Sequence, residues 1–308
     1  MARKFLFALL LVVLSCSAVF AAQPKPKNAL DAGILTYLGT TEAEFQEGLD
    51  DLRKALAPLI PSDGPRDDRE DYDMLEGYLS ELVKNRRVVH FYDSLLSMQM
   101  ALRSHRIDEI VLPEAVVMYL MANNPTGYEI QFSLNMMPST ISFGFKAGNT
   151  ALKKEFDDAI KAMKKDGTLM TLENDYITNL GTNEPGHVAF HEFKGAPTIK
   201  VAVTGDLPPL DYVAADGRPA GYNTAILSEI GRRLKKNIRV IGVDAGGRSA
   251  ALASERADVV FWYRNTEGMK LPKKAKGRNP KVNDTHTGVI LSEPYYEWDT
   301  DLVVGRSK

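Results

Sequence analysis

Four places in this sequence gather side chains able to grip a small polar molecule, and each lies where an extended run gives way to a helix or loop. Gly39-Thr40-Thr41 follow AGILTYL and lead into EAEFQEGLDDLRKAL. Free backbone N–H groups at a helix start, with two hydroxyls beside them, suit a carboxylate or another anion. Thr41 and Glu44 also have the T-x-x-E spacing of a capping box, so Thr41 acts as helix cap, ligand contact or both. Asp206, Leu210 and Tyr212 follow the strand-like IKVAV within DLPPLDY. Trp262, Tyr263 and Arg264 follow ADVVF, with Thr266 next, and Glu114 follows IDEIVLP. Rings at Tyr212, Trp262 and Tyr263 suit an apolar or cationic ligand. Core packing is the other reading for Trp262, and the preferred one for Tyr222. Arg264 is either an anion clamp or a solvated loop residue, and Glu114 is either an amine acceptor or the first-turn acid of a helix.

The elements that must position these residues alternate between strand and helix. In the second half, IKVAV, IRVIGV and ADVVFW read as strands. Between them, Ile226, Leu227, Ile230 and Leu234 recur at helical spacing after Asn223, a plausible N-cap, and SAALASERA forms a second, short helix. Pro208-Pro209 and Asp216-Gly217 mark turns. In the first half, AGILTYLG, RRVVHFYD and IDEIVL read as strands separated by helices, and a further helix covers EAVVMYLMAN. YEIQFSL and STISFGFKAG read as two more strands, followed by one long helix over roughly 149–176. This grammar predicts parallel sheets with helices packed on them. No close internal repeat is read from the residues. Residues 58–71, rich in Pro, Gly and acid, look like an insertion.

The apolar fraction of 44% and charged fraction of 25% fit a globular chain, and a net charge of −2 gives no general basicity to suggest nucleic acid. Arg3 and Lys4, an apolar run from Phe5 to Val13 and small residues up to Ala22 have the layout of a secretory signal. Its removal moves the net charge to −4 and takes away Cys16, the single cysteine, leaving no thiol for a disulfide. Cys16 sits in VLSC, a loose lipobox, so a lipid anchor is the alternative. The expected location is periplasmic or extracellular. The basic run 270–281 reads as a solvated loop, with an anionic surface or a partner as the alternative. His187 and His191 lack the acid of a zinc-protease helix. No metal or cofactor is expected.

The ordered motifs resemble family 3 extracellular solute-binding proteins, the amino-acid-type receptors of bacterial ABC importers. The first lobe of that family reads "PPF-x-Y", "G-x-x-x-G-F-D", "aL-x-x-G-x-x-D", "T-x-x-R" and "F-S-x-P-Y". The counterparts here are Pro208-Pro209-Leu210-Asp211-Tyr212, Gly217 through Gly221-Tyr222-Asn223, Leu252 with Ala257-Asp258, Thr266, and Leu291 through Tyr295. The second lobe, opening "v-G-v-x-x-G-T-T", is resembled by AGILTYLGTTEAEF at residues 32–45, then by Val89 to Asp108, Lys146 to Asn149 and Asp166 to Leu169. The family's clamping arginine falls at Met269 and its amine-binding acid at Pro113, which makes an ordinary α-amino acid a doubtful ligand.

Both lobes thus stand in reversed order. The resemblance implies an α/β, two-lobed periplasmic-binding-protein-like (type II) fold, circularly permuted, with a hinge between the lobes. The expected organisation is a signal peptide (1–22), the family's second lobe (29–140), a hinge strand and closing helix (141–180), a linker joining the old termini (181–197) and the first lobe (198–305). A permuted monomer and a swapped dimer are both compatible with it. The implied function is non-catalytic capture of a small, amino-acid-like or other metabolite, with an ABC permease as partner. A cyclohexadienyl dehydratase-like enzyme, with Glu114 as acid, and a sensor or scaffold with a vestigial cleft are the alternatives.

Overall fold

The computed structural model describes residues 29–38, 42–56, 87–179, 188–263 and 288–307. The signal, Cys16, the 58–71 insertion and the basic run 270–281 lie outside the described residues. One mixed sheet runs through the protein in the order β2-β1-β3-β12-β4-β10-β5-β9, and β11 also pairs with β4. Its first half comprises β1 (Leu30–Leu35), β2 (Arg87–Tyr92) and β3 (Glu109–Pro113), all parallel. Its second half comprises β5 (Thr198–Val203), β9 (Asn237–Gly242) and β10 (Val259–Tyr263), also parallel. β6 (Asp206–Leu207), β7 (Asp211–Val213) and β8 (Pro219–Ala220) form a small antiparallel sheet after β5.

Two long strands join the halves. β4 (Tyr128–Lys146) and β12 (Tyr296–Arg306) are antiparallel partners. The early part of β4 lies in the first half beside β12, which itself borders β3. Its end, Ile141 to Lys146, pairs with β10 and with β11 (Val289–Leu291) in the second half. The sequence suggested two strands here. The ladder instead continues through a register shift opposite Trp298–Thr300, and Pro138, which has no N–H to donate, falls inside that shift.

Helices cover both faces. α1 (Glu42–Leu56), α2 (Leu95–Arg103) and α3 (Glu114–Asn123) follow the first-half strands; α6 (Tyr222–Leu234) and α7 (Arg248–Ala253) belong to the second half. Ala32, Ile34, Phe45, Leu49, Val111 and Val303 form one apolar cluster under α1. Ala202, Leu252, Val260 and Leu291 form another beside α7, and a larger core joins the remaining faces of both halves. All five residues of β3 are buried, as expected of a strand flanked on both sides and covered by helices.

The expected long helix is broken. α4 (Thr150–Asp166) ends at Gly167, whose φ of +82° belongs to the left-handed region, and α5 (Thr168–Glu173) and a π-helical turn (Asn174–Thr178) follow. Asp166 accepts from Thr168 N and Oγ1 at 3.1 and 2.6 Å and from Arg233 at 2.8 Å, fixing this corner to α6.

The halves share a local device that the sequence reading missed. Ala101-Leu102-x-Ser104-x-Arg106-x-Asp108 recurs as Ala251-Leu252-x-Ser254-x-Arg256-x-Asp258. His105 and Glu255 occupy the same positive-φ position, at +59° and +58°. Asp108 accepts from Asp31 N and donates its own amide to Asp31 O; Asp258 does the same with Lys200, all at 2.8 Å. Each aspartate therefore ties the strand that follows its helix to the first strand of its half.

Candidate ligand-binding cleft

The parallel strands of both halves end at a common cleft, the position where open α/β sheets hold ligands. From the first half come a 3-10 turn (Thr36–Leu38) after β1, Asp93-Ser94 before α2, and Glu114 at the start of α3. From the second half come Asp206 after β5, a 3-10 turn (Ala245–Gly247) after β9, and the end of β10. The two 3-10 turns touch.

Asp206 is the centre of the closure. Its Oδ1 accepts from Tyr37 Oη at 3.0 Å and its Oδ2 accepts from Leu95 N at 3.0 Å. Leu95 is the first residue of α2, whose free N–H groups and dipole favour a negative charge. The second half thus supplies its own carboxylate to a helix N-terminus of the first. Ser94 caps the same helix by accepting from Ser97 N at 3.2 Å, and Thr36 Oγ1 donates to Asp93 Oδ1 at 3.1 Å behind it. Burial pushes the Asp206 carboxyl above the ordinary aspartate range, against the lowering effect of the Leu95 and Tyr37 hydrogen bonds.

Asp211 supports this arrangement from beneath. It is fully buried in β7 and accepts from Thr204 Oγ1 at 3.2 Å and Gly205 N at 3.1 Å. Burial, with the nearby Asp206 charge as a smaller contribution, pushes its carboxyl up to about 7. Pro208 and Pro209 are joined by a cis peptide bond. The carbonyls of Pro209 and Leu210 accept from Tyr222 N and Asn223 N at 2.9 and 2.8 Å. Those bonds satisfy the first amides of α6, so Asn223 lies inside the helix rather than capping it; Gly221 holds the cap position at φ +99°.

The expected contacts therefore fall in different places. Asp206 and Tyr212 lie at the cleft, with the Tyr212 ring 5.8 Å from that of Tyr119 on α3 at an interplanar angle of 47°. Leu210 is 0% exposed and belongs to the core, as does Tyr222, whose hydroxyl donates to Tyr295 O at 3.1 Å. Glu114 is exposed on the first turn of α3. Trp262 and Tyr263 are the last residues of β10, opposite Ser142 and Ile141; their side chains lie outside the described residues. Thr40, Thr41, Arg264 and Thr266 also lie outside them.

Residues not foreseen include Tyr37, Asp211 and Arg248. Arg248 is 3% exposed at the start of α7 and donates to Ala245 O at 3.3 Å and Phe261 O at 3.2 Å, bracing the second half of the cleft. The resembled family's PPF-x-Y motif has its Phe at Leu210 and leaves the Asp211 position open, so neither Asp211 nor Tyr37 carried a sequence signal.

Residues 199–267, less than a quarter of the chain, match the model of the bacterial extracellular solute-binding proteins, family 3. No curated protein matches the chain. Among solved structures, one similar protein is the ligand-binding component of an ABC-type import system from Staphylococcus aureus, with zinc bound, at 12% identity, 91% of this chain and 67% of that one covered, and a TM-score of 0.42. Another is the GluR0 ligand-binding core in complex with L-glutamate, at 12% identity, 94% and 86% coverage and a TM-score of 0.38. A third is the alkanesulfonate-binding protein SsuA from Xanthomonas axonopodis pv. citri bound to MOPS, at 7% identity, 92% and 66% coverage and a TM-score of 0.38.

Proposed function

We propose that this chain is an exported solute-binding protein that closes two half-sheets on a small molecule. The observation that carries the reading is the convergence of both sets of parallel strand ends on Asp206, with the family match over β5 to β10 in support. Two strands, β4 and β12, connect the halves, and hinge bending about a pair of strands opens and closes a cleft between them. In the closed form Asp206 occupies the anion position at α2. A ligand carboxylate takes that place only by displacing Asp206, whereas a ligand amine pairs with Asp206 where it stands. Cargo delivery to an ABC permease is the physiological role that this binding would serve, after export to the periplasm or cell exterior. No helix among the described residues is long and apolar enough to cross a membrane.

The element order fits a circular permutant. Gly305 of β12 lies beside Glu109 of β3, and Ala32 of β1 lies on the other side of Glu109. The end of β12 and the start of β1 are therefore about 10 Å apart, two strand spacings, at one end of the first half. A short link there, with the chain opened between α5 and β5, restores the order of the resembled family. A chain rebuilt as 198–306 followed by 29–180 is expected to fold and to bind the same ligand.

Thermal-shift screening of the mature chain against amino acids, polyamines and small carboxylates, with light scattering for its mass, tests the reading. A ligand at a hundred times its Kd stabilises the native state by about 2.7 kcal/mol. No shift from any class would leave the scaffold reading, which the internally filled cleft favours. A dimeric mass would identify the swapped arrangement.

A further inference from the structure

We propose that Asp206 is an autoinhibitory latch. Its carboxylate ties the two halves together across the cleft, and cargo enters only once that tie is released. The latch rests on the reading of the cleft as a site of cargo capture and adds a regulation to it.

The latch is built from the chain's own groups. Asp206 opens β6 in the second half, while both of its partners, Tyr37 and the Leu95 amide, belong to the first. Each carboxylate oxygen has one donor, at 3.0 Å in both cases, so the group is seated by direction as well as by charge. Leu95 is 4% exposed, and its amide is one of those at the start of α2 that no carbonyl of the helix satisfies. Asp206 therefore answers a need of the opposite half. Thr204 Oγ1 and the Gly205 amide, just before it, donate to Asp211 at 3.2 and 3.1 Å, which holds the backbone from which Asp206 projects.

The tie is also breakable. Burial pushes the Asp206 carboxyl above its ordinary range, and the Asp206 charge in turn helps to raise that of Asp211. Both effects are relieved when Asp206 returns to water, and they offset part of what its two donors contribute. Cargo enters from the open form, so the latch lowers apparent affinity by the fraction of molecules that are open.

Spin labels placed through Met100→Cys and Ala215→Cys report the opening. Met100 is exposed on α2 and Ala215 is exposed in the turn between β7 and β8, one in each half and neither in the latch. The distance distribution of the full mature chain, measured without added cargo, is expected to show a closed population. Asp206→Ala removes the carboxylate, and Leu95→Pro/Tyr37→Phe removes both donors. Proline is favoured at the first position of a helix, so the amide is lost while α2 is kept. Either change is expected to lower the closed-to-open ratio by about tenfold or more, the effect of hydrogen bonds to a charged group. Combining them is expected to add nothing, because both cut the same tie. Thermal midpoints show which variants are folded, and Asp206→Ala decides alone if the double variant is not. A natural chain that is already open overturns the proposal, as does a closed population that survives Asp206→Ala or a folded Leu95→Pro/Tyr37→Phe. Further opening in the combined variant also overturns it, since the two sides would then act separately. Opened variants that bind none of the screened ligands would overturn the capture reading and leave the latch standing. Variants that stay closed, in a chain that does bind cargo, would do the reverse.

Discussion

The hydroxyl of Tyr37 lies 3.0 Å from Oδ1 of Asp206, and the two residues hold the same place in their half-sheets. Tyr37 lies six residues beyond Asp31, whose amide Asp108 accepts; Asp206 lies six residues beyond Lys200, whose amide Asp258 accepts. Closure thus joins equivalent positions of two similarly built units. Tyr37→Phe removes the donor and leaves Asp206 with its helix contact. The expected loss is about 1–3 kcal/mol from a hydrogen bond to a charged, half-buried group. Hydrogen exchange at the Leu95 amide should accelerate if the contact holds the closed form, and an unchanged rate would show that it does not.

Asp211 makes stability fall with rising pH. Its carboxyl titrates at about 7 in the folded protein against an ordinary 3.8, so between those values the folded state holds a proton that the unfolded chain has released. The contribution is complete below 3.8 and is lost as pH rises through about 7. Asp206, shifted in the same direction, adds to the slope. Urea unfolding of Asp211→Asn should show a smaller decline between pH 5 and pH 8 than the natural chain. Equal slopes would assign the pH dependence elsewhere.

Arg87 and Glu109 form a buried pair behind the first half-sheet. Arg87 Nε lies 2.8 Å from Glu109 Oε1, with the two side chains 3% and 0% exposed, and the guanidinium also lies 5.2 Å from the Phe132 ring centroid. Burial raises the Glu109 carboxyl even with this partner present. Arg87→Met leaves that acid unpaired and is expected to cost about 3–5 kcal/mol, much of which Arg87→Met/Glu109→Leu should restore. Denaturant midpoints of the two variants check this, and a double variant no better than the single one refutes it.

Gly221→Ala is expected to destabilise by about 3 kcal/mol or more, through positive φ and collision combined. A Cβ there would lie 2.6 Å from Pro209 O and 2.8 Å from Leu210 O, the carbonyls that seat the first turn of α6. The thermal midpoint should drop sharply, and a neutral result would mean that the Pro208–Leu210 turn moves aside.

Local patterns determined much of this protein. Apolar runs marked β1, β2, β3, β5, β9 and β10, helical spacing marked α6, and the punctuation at Pro208-Pro209 and Asp216-Gly217 placed the first hairpin; Gly217 takes φ +81° there. These features arise from backbone preference and the burial of one face, which neighbouring residues encode. The rule that ligands sit beyond strand ends supplied the positions where Asp206 and Tyr212 are found. Long-range pairing decided the rest. Only the ladder with β12 made β4 a single strand, only the carbonyls of a distant turn removed the need for a cap at Asn223, and only the approach of the half-sheets gave Tyr37 a partner 169 positions away. Such contacts depend on which surfaces meet after folding, and no local propensity at Tyr37 or Asp206 carries that information.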